Sequence, residues 1–324
     1  METAVILINK ISESPTEDEL DVLDQALQVE LALQSLNYEC QRIYMDLDLK
    51  FVSRALKAIK PKFVFNLVES LEGKANLIHL APALLESLRI PYSGCRLESI
   101  FVTSNKPLAK KILAFNGINT PAFHGAGSFK ELNDSKTYIA KPLWEDASVG
   151  IDDSSVFKGR NEAKWTELKN LWGEDFFVEE FIDGREFNLS ILGGGPGGAR
   201  VLPPAEILFR DFPGNKPRIL GYSAKWEKDT FEYINTPRTF DFSSDDKPLL
   251  SELTEIALKC WEVLDLKGYA RVDFRVSKEK NTPYVLEINA NPCISADAGF
   301  YAAAGKAGLS FKQLIEEILK EAFI

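Results

Sequence analysis

The chain has few cysteines, and they are scattered. Cys40, Cys95, Cys260 and Cys293 form no C-x-x-C pair, which excludes a disulfide framework and a thiolate zinc site and points to a reducing cytoplasm. Basic charge is also scarce. The 38 Lys+Arg against 48 Asp+Glu give a formal net charge of −10, which argues against nucleic acid or an anionic membrane as partner and leaves room for a local basic pocket. No apolar run approaches the ~20 residues that a membrane span needs. The opening METAVILINK lacks the basic head and cleavage site of a signal peptide and reads as a first strand. No G-x-G-x-x-G follows that strand, which disfavours a nicotinamide oxidoreductase.

What is present is ordinary for a globular chain of two or three domains: 324 residues, 45% hydrophobic and 27% charged. Strand and helix alternate through the first hundred residues. AVILI is strand-like, and T-E-D-E from Thr16 to Glu19 is a capping box that opens a helix to about Leu36. YECQRIYM and PKFVFNLV read as strands, DLKFVSRALKAI and ANLIHLAPALLESL as helices. Such an order implies a parallel sheet with helices on its faces, closing near Pro91 to Cys95. SNKPLAKKILAFNGI is helical; TYIAKP and DFFVEEFI are strands around a loop. GGGPGG lies between two strands and reads as a hairpin tip. The segment 210–247 reads as a long functional loop. KPLLSELTEIALKCWEVL and SFKQLIEEILKEA are helices, and YARVDFRV and PYVLEIN are strands.

Those last two strands carry charge where a buried strand should not. Paired as an antiparallel hairpin turning at Lys280, they put Asp273 opposite Glu287 and Arg271 opposite Asn289. One face holds Arg271, Asp273, Arg275, Val285, Glu287 and Asn289; the other, with Val272, Phe274, Val276, Tyr284, Leu286 and Ile288, is apolar. Two carboxylates directly opposite stand about 5 Å apart and repel. Arg271 or Arg275 could hold them together, or a divalent cation could. With only hard oxygen donors at hand, that cation is Mg²⁺ or Mn²⁺ rather than zinc. A solvated face of ordinary Arg–carboxylate pairs is the alternative.

Lys141 ends a strand before a Pro and a loop, and Lys106 begins a helix after Ser104 and Asn105. Each alone is unremarkable as a solvated lysine. Beside a magnesium site they are what a nucleoside triphosphate needs. In FVEEFIDGREF, a strand end could offer its backbone to adenine, and Glu186 could accept from ribose hydroxyls.

IAKPLWEDASVGI, FVEEFIDGREFNLSILG, YSAKW, ARVDFRV, YVLEINANPCIS and AAAGKAGLSFKQLIEEIL resemble, in that order, the motifs of the ATP-grasp fold, and more closely those of D-alanine–D-alanine ligases. FNLVES and IPYSGC fit the same family. The resemblance implies an α/β (α+β) ATP-grasp fold: a Rossmann-like parallel-sheet domain over 1–97, a central subdomain over 98–180 and a C-terminal subdomain over 181–324 carrying the Mg/phosphate site. It implies that Lys106 and Lys141 contact ATP phosphates, that Glu179, Glu180, Phe181 and Ile182 form the adenine hinge, and that Glu186 binds ribose. Lys225 would reach the γ-phosphate, Arg271 would steady the oxyanion, and Asp273, Glu287 and Asn289 would hold two Mg²⁺ (or Mn²⁺). The implied chemistry is an ADP-forming carboxylate–amine ligation through an acyl phosphate, in a cytoplasmic homodimer acting on amino acids or dipeptides. A non-catalytic nucleotide- or amino-acid-binding module is the alternative.

The substrate positions depart from the family pattern. Ala147 stands where a Ser is expected, leaving Ser148 to supply a hydroxyl or an amide. Trp226 replaces a Tyr, Glu69-Ser70 replaces His-Gly, Asn9-Lys10 replaces Gly-Gly, and Ala298 replaces a Ser. Asn291 and Ala298 fall at substrate positions. Glu13 is the nearest counterpart of the usual amine-binding Glu. Glu69 could pair with a substrate ammonium, or with Lys74 or Arg96. The groups for ATP and metal are kept while those that grip D-alanine change, which implies the same chemistry on a different carboxylate or amine.

Overall fold

A computed structural model describes residues 1–145, 147–195 and 198–323. In its first sheet, β1 (Glu2–Asn9) lies between β2 (Tyr38–Met45) and β3 (Phe63–Asn66), parallel to both. Alternation sends Ala4, Ile6 and Ile8 into one core and Val5 and Leu7 into another. A strand covered on both faces reads as an unbroken apolar run, as AVILI does. α1 (Glu17–Ser35) covers the first face, and α2 (Leu49–Ile59) and α3 (Leu80–Leu88) cover the second. The amide of Thr16 donates to Glu19 Oε2 at 3.3 Å, the backward half of the capping box. The helix expected over ANLIHLAPALLESL starts only at Leu80; Ala75–Leu77 is a separate 3₁₀ turn.

α4 (Leu97–Ser104) and α5 (Lys106–Phe115) meet at Asn105, whose side chain accepts from Leu108 N at 3.0 Å and caps α5. Pro107 sits in the first turn, where no amide donor is needed. The second sheet has the order β4-β7-β5-β6, from β4 (Phe123–Gly125), β5 (Thr137–Pro142), β6 (Val156–Lys158) and β7 (Phe176–Glu180), all antiparallel. α6 (Glu162–Trp172), capped by Asn161, packs Trp165 and Leu168 on this sheet where the sequence reading has only a loop.

In the six-stranded third sheet, β8 (Gly184–Gly195) takes β9 (Gly198–Val201) and β10 (Ala205–Ile207) as neighbours, and β11 (Arg238–Thr239) extends from β10. β12 (Tyr269–Ser277) and β13 (Pro283–Asn289) complete the order β11-β10-β8-β12-β13. The glycine run does close a hairpin, with Gly195 opposite Gly198; Pro196 and Gly197 lie outside the described residues. A Cβ on Gly193 would stand 2.2 Å from the Glu321 carboxylate, which itself accepts from Gly194 N at 2.9 Å. The segment 210–247 is not an irregular loop. It contains α7 (Tyr222–Trp226), α8 (Phe231–Asn235) and β11, pieces too short to show a period in sequence.

α9 (Lys247–Val263) packs on the third sheet together with residues of α4 and α5: Leu253 and Ala257 meet Ile100, Leu113 and Phe187 in one core. α10 (Gly299–Lys306) and α11 (Phe311–Leu319) cross back to the first sheet, where Phe300, Leu314 and Ile318 join Ile6 and Phe63. Among the described residues no helix is long and apolar enough to cross a membrane. All four cysteines are unbridged.

The β12–β13 hairpin has the expected register at its working end, with Arg271 opposite Asn289 and Asp273 opposite Glu287. Beyond Asp273 the register shifts, so that Phe274 faces Val285 and Leu286 is the extra residue of a β-bulge. The expected faces change accordingly. Val285 enters the core with Val272, Phe274 and Val276, whereas Leu286 turns to line a cavity. Val285 N is held by Asn119 O at 2.8 Å.

Candidate active site

The second and third sheets and the N-terminal sheet's strand ends enclose a cavity of about 650 Å³. Lys106 opens α5 and is buried, its Nζ donating to Glu145 O at 2.6 Å. Lys141, near the end of β5, is paired with Glu179 Oε1 at 2.7 Å. Glu179 is 1% exposed and is shared, because Lys110 Nζ lies 2.7 Å from its Oε2. Burial pushes the Glu179 carboxyl up, but Lys110 and Lys141 together hold it below the usual range. Burial and the neighbouring Lys141 pull Lys110 down. Glu180, Phe181 and Ile182 follow along the cavity wall. Phe181 N donates to Thr137 O at 2.9 Å, and the Glu180 carboxylate pairs with Lys136.

The hairpin's polar face points into the same cavity. Arg271 grips Asp273 with two bonds of 2.8 Å. Asn188, opposite Asp273 on β8, donates to Asp273 Oδ1 at 2.7 Å, and Asn289 reaches Oδ2 at 3.3 Å. Of the two arginines considered for the carboxylates, Arg271 takes Asp273, while Arg275 pairs with Glu186 at 2.8 Å. Burial holds Glu186 above the ordinary carboxylate range. Glu287 makes no hydrogen bond or ion pair with any described residue, yet it is ringed by cations. Burial raises its pKa, but Lys106, Lys141, Lys225 and Arg271 outweigh that and bring it down to about 2. Lys225, on α7, has no direct partner among the described residues either, and burial lowers its pKa.

The segment carrying α7 is latched over the cavity. Ser148 Oγ donates to Leu220 O at 2.7 Å, Trp226 Nε1 to Ala147 O at 3.0 Å, and Tyr222 N to Ile151 O at 3.0 Å. The replacement of a hydroxyl by an indole at 226 therefore finds a carbonyl at 147, where no side-chain hydroxyl is available. Ala147 and Ser148 have φ of 56° and 63°, a left-handed turn that presents that carbonyl.

The far end of the cavity is acidic. Asp21 and Glu69 line it, bridged by Gln25 Nε2, which donates to Asp21 Oδ2 at 3.0 Å and to Glu69 Oε1 at 2.9 Å. Cys293 Sγ donates to Asp21 Oδ2 at 2.9 Å, and burial raises the Asp21 carboxyl. Glu13 is exposed and does not line the cavity. It lies before α1, and the carboxylate that faces inward is Asp21, one turn inside that helix. Asn291 is held by Tyr269 Oη at 2.8 Å and by Val68 O at 3.1 Å. Ala298 caps α10, where Arg238 packs against Gly299.

Lys110, Asn188, Asp21 and Arg238 escape the sequence reading. Asn188 had a signal, since it alternates with Phe187 and Leu189 on a strand beside the hairpin. The other three look like ordinary surface charges.

Residues 124–320 match the family profile described as "D-ala D-ala ligase C-terminus". A D-alanine–D-alanine ligase of Carboxydothermus hydrogenoformans is 31% identical over 300 residues, covering 89% of each chain. One from Aquifex aeolicus is 32% identical over 292 residues, covering 89% of this chain and 91% of its own. Among solved structures, the D-alanine–D-alanine ligase of Bacillus anthracis complexed with ATP superposes with a TM-score of 0.75 at 21% identity, covering 100% of this chain and 98% of that one. At that identity the likeness shows the ATP-grasp fold, as the sequence motifs imply.

Proposed function

The chain belongs to the D-alanine–D-alanine ligase family, and from that we propose that it is an ATP-dependent, ADP-forming ligase joining a carboxylate to an amine. The observation that carries this is Glu287: a charged carboxylate without a direct partner among the described residues, ringed by Lys106, Lys141, Lys225 and Arg271 and set opposite Asp273. An excess of cations around such a carboxylate suits a polyphosphate. Asp273, Glu287 and Asn289 offer only hard oxygens, which fits Mg²⁺ or Mn²⁺. That ion, when bound, would neutralise charge on the phosphates.

In this reading Lys106 and Lys141 hold the phosphates, the segment from Glu179 to Ile182 receives adenine and Glu186 the ribose. The first substrate's carboxylate oxygen takes the γ-phosphoryl group, giving an acyl phosphate and ADP. Lys225 and Arg271 stabilise the charge that develops. The second substrate's amine adds to the acyl carbon, loses a proton, and the tetrahedral intermediate collapses to an amide with release of phosphate. The latch of Ser148 and Trp226 keeps water out. A non-catalytic binding module is not favoured, since the curated relatives this chain matches over 89% of its length are ligases and it keeps Asp273, Glu287 and Asn289 beside the cations. The apolar stripe Leu20, Leu27 and Leu31, exposed on α1, supports a homodimer.

We read the substrates as other than two D-alanines, because Glu69, Trp226, Ala147 and Ala298 alter the gripping positions. Glu69 and Asp21 would receive an ammonium. The test is ADP release over a panel of D- and L-amino acids and dipeptides. Efficient, specific turnover of D-alanine overturns the altered specificity. The absence of Mg²⁺-dependent nucleotide binding overturns the ligase.

A further inference from the structure

Lys110 sits outside the cavity and touches none of the groups assigned to substrate except Glu179. It is buried in the middle of α5, one turn after Lys106, and its side chain is 2% exposed. A buried ammonium needs partners for its three donors. Lys110 Nζ has three: Glu179 Oε2 at 2.7 Å, Leu286 O at 2.7 Å and Thr120 Oγ1 at 3.0 Å. These belong to different parts of the site. Glu179 is the carboxylate that aims Lys141, with 2.7 Å between them. Leu286 is the extra residue of the bulge, directly before Glu287. Thr120 lies beside Asn119, whose carbonyl holds Val285 N at 2.8 Å.

We propose that Lys110 is a positioning residue for phosphate and metal binding, a single buried ammonium that fixes Lys141 through Glu179 and Glu287 through the Leu286 carbonyl. A bulge removes a ladder bond and leaves a carbonyl free to turn; Lys110 takes up that carbonyl and sets its direction. Lys110 and Lys106 lie on one turn of one helix, so α5 also fixes the spacing between the phosphate lysine and the bulge. Lys111, its neighbour in sequence, is exposed and has no such role.

This rests on the ligase reading above, and the test separates the two. Mg·ADP affinity is measured by calorimetry, with and without excess Mg²⁺, beside a thermal melt of each protein. Parent protein that does not bind Mg·ADP overturns the ligase reading itself. Given a binding parent, Lys110→Met should weaken Mg·ADP on the order of tenfold to hundredfold, the size of a lost hydrogen bond to a charged group, and should raise the Mg²⁺ concentration needed for half-saturation. Thr120→Val, which leaves the ammonium two acceptors and does not touch the cavity, should weaken binding about threefold or more. It serves also if Lys110→Met fails to fold. A lower melting temperature with Mg·ADP affinity unchanged, in either variant, makes Lys110 purely structural and overturns the proposal.

Discussion

The latch over the cavity can be opened without touching a charged group. Trp226→Phe keeps an aromatic ring but removes the donor to Ala147 O, and Ser148→Ala removes the donor to Leu220 O. Alanine is the right choice at 148, since glycine would also relieve the left-handed backbone there and confuse the outcome. The Tyr222 N to Ile151 O bond survives in both. Each lost bond is worth about 1 kcal/mol net. If the two act independently the double variant loses about 2 kcal/mol, a change of roughly 30-fold in the ratio of open to closed segment. Trypsin reports this ratio, because Arg210, Arg218 and Lys228 flank or lie in the segment, and cleavage through an opened state follows its population. The double variant should be cut up to about 30-fold faster, with each single variant near fivefold, and saturating Mg·ATP should slow cleavage in all of them. Rates within about threefold of the parent, with KM for ATP unchanged, would refute the idea that these two bonds hold the segment down.

Glu287→Gln should lower Mg²⁺-dependent turnover by about 10²-fold or more, while nucleotide binding in EDTA holds or tightens because a negative charge has left a ring of cations; retention of most turnover would remove Glu287 from the metal site. Deleting Leu286 takes out the bulged residue, leaves Val285 opposite Phe274 in a regular register and removes the carbonyl that Lys110 holds; weaker Mg·ADP binding by calorimetry, with Val285 still in the core, is expected. Burial pushes Cys95 and Cys260 up to about 12 and Cys40 to about 11, from an ordinary value of 9.0. A thiol whose folded value is raised stabilises the fold fully below pH 9 and loses that contribution as pH climbs toward 12. The melting temperature should therefore fall as pH rises from 9 toward 11, and iodoacetamide at pH 8 should label native protein far more slowly than unfolded protein.

The part of the site that could be read in sequence is the part set by local periodicity. Alternation along YARVDFRV and PYVLEIN, with one turn centre, brings Asp273 opposite Glu287. The bulge one residue nearer the turn, at Leu286, could not be read, because it depends on Asn119 and Lys110, groups far from the hairpin along the chain. Lys110 and Lys111 are adjacent lysines on one helix; which is buried depends on where β13 passes. Glu13 was the wrong carboxylate for a similar reason. The inward face of α1 is set by its packing against β1, and Asp21 is on that face. The parallel first sheet was legible from its unbroken apolar runs, whereas α7 and α8 were hidden by their shortness and α6 by how narrow its apolar stripe of Trp165, Leu168 and Trp172 is among charged neighbours.

The first sheet's dependence on α10 and α11 also sets an order in time. While the chain emerges from a ribosome, Ala4, Ile6 and Phe63 form strands whose one face has α1 over part of it and nothing over the remainder until Leu314 and Ile318 have been made. The first strand, made about three hundred residues before α11, thus waits for that helix, and this long loop closure slows folding and leaves an oily surface open to misassociation. A nascent chain stalled before α10 should hold the second and third sheets and still be captured by chaperones at the first.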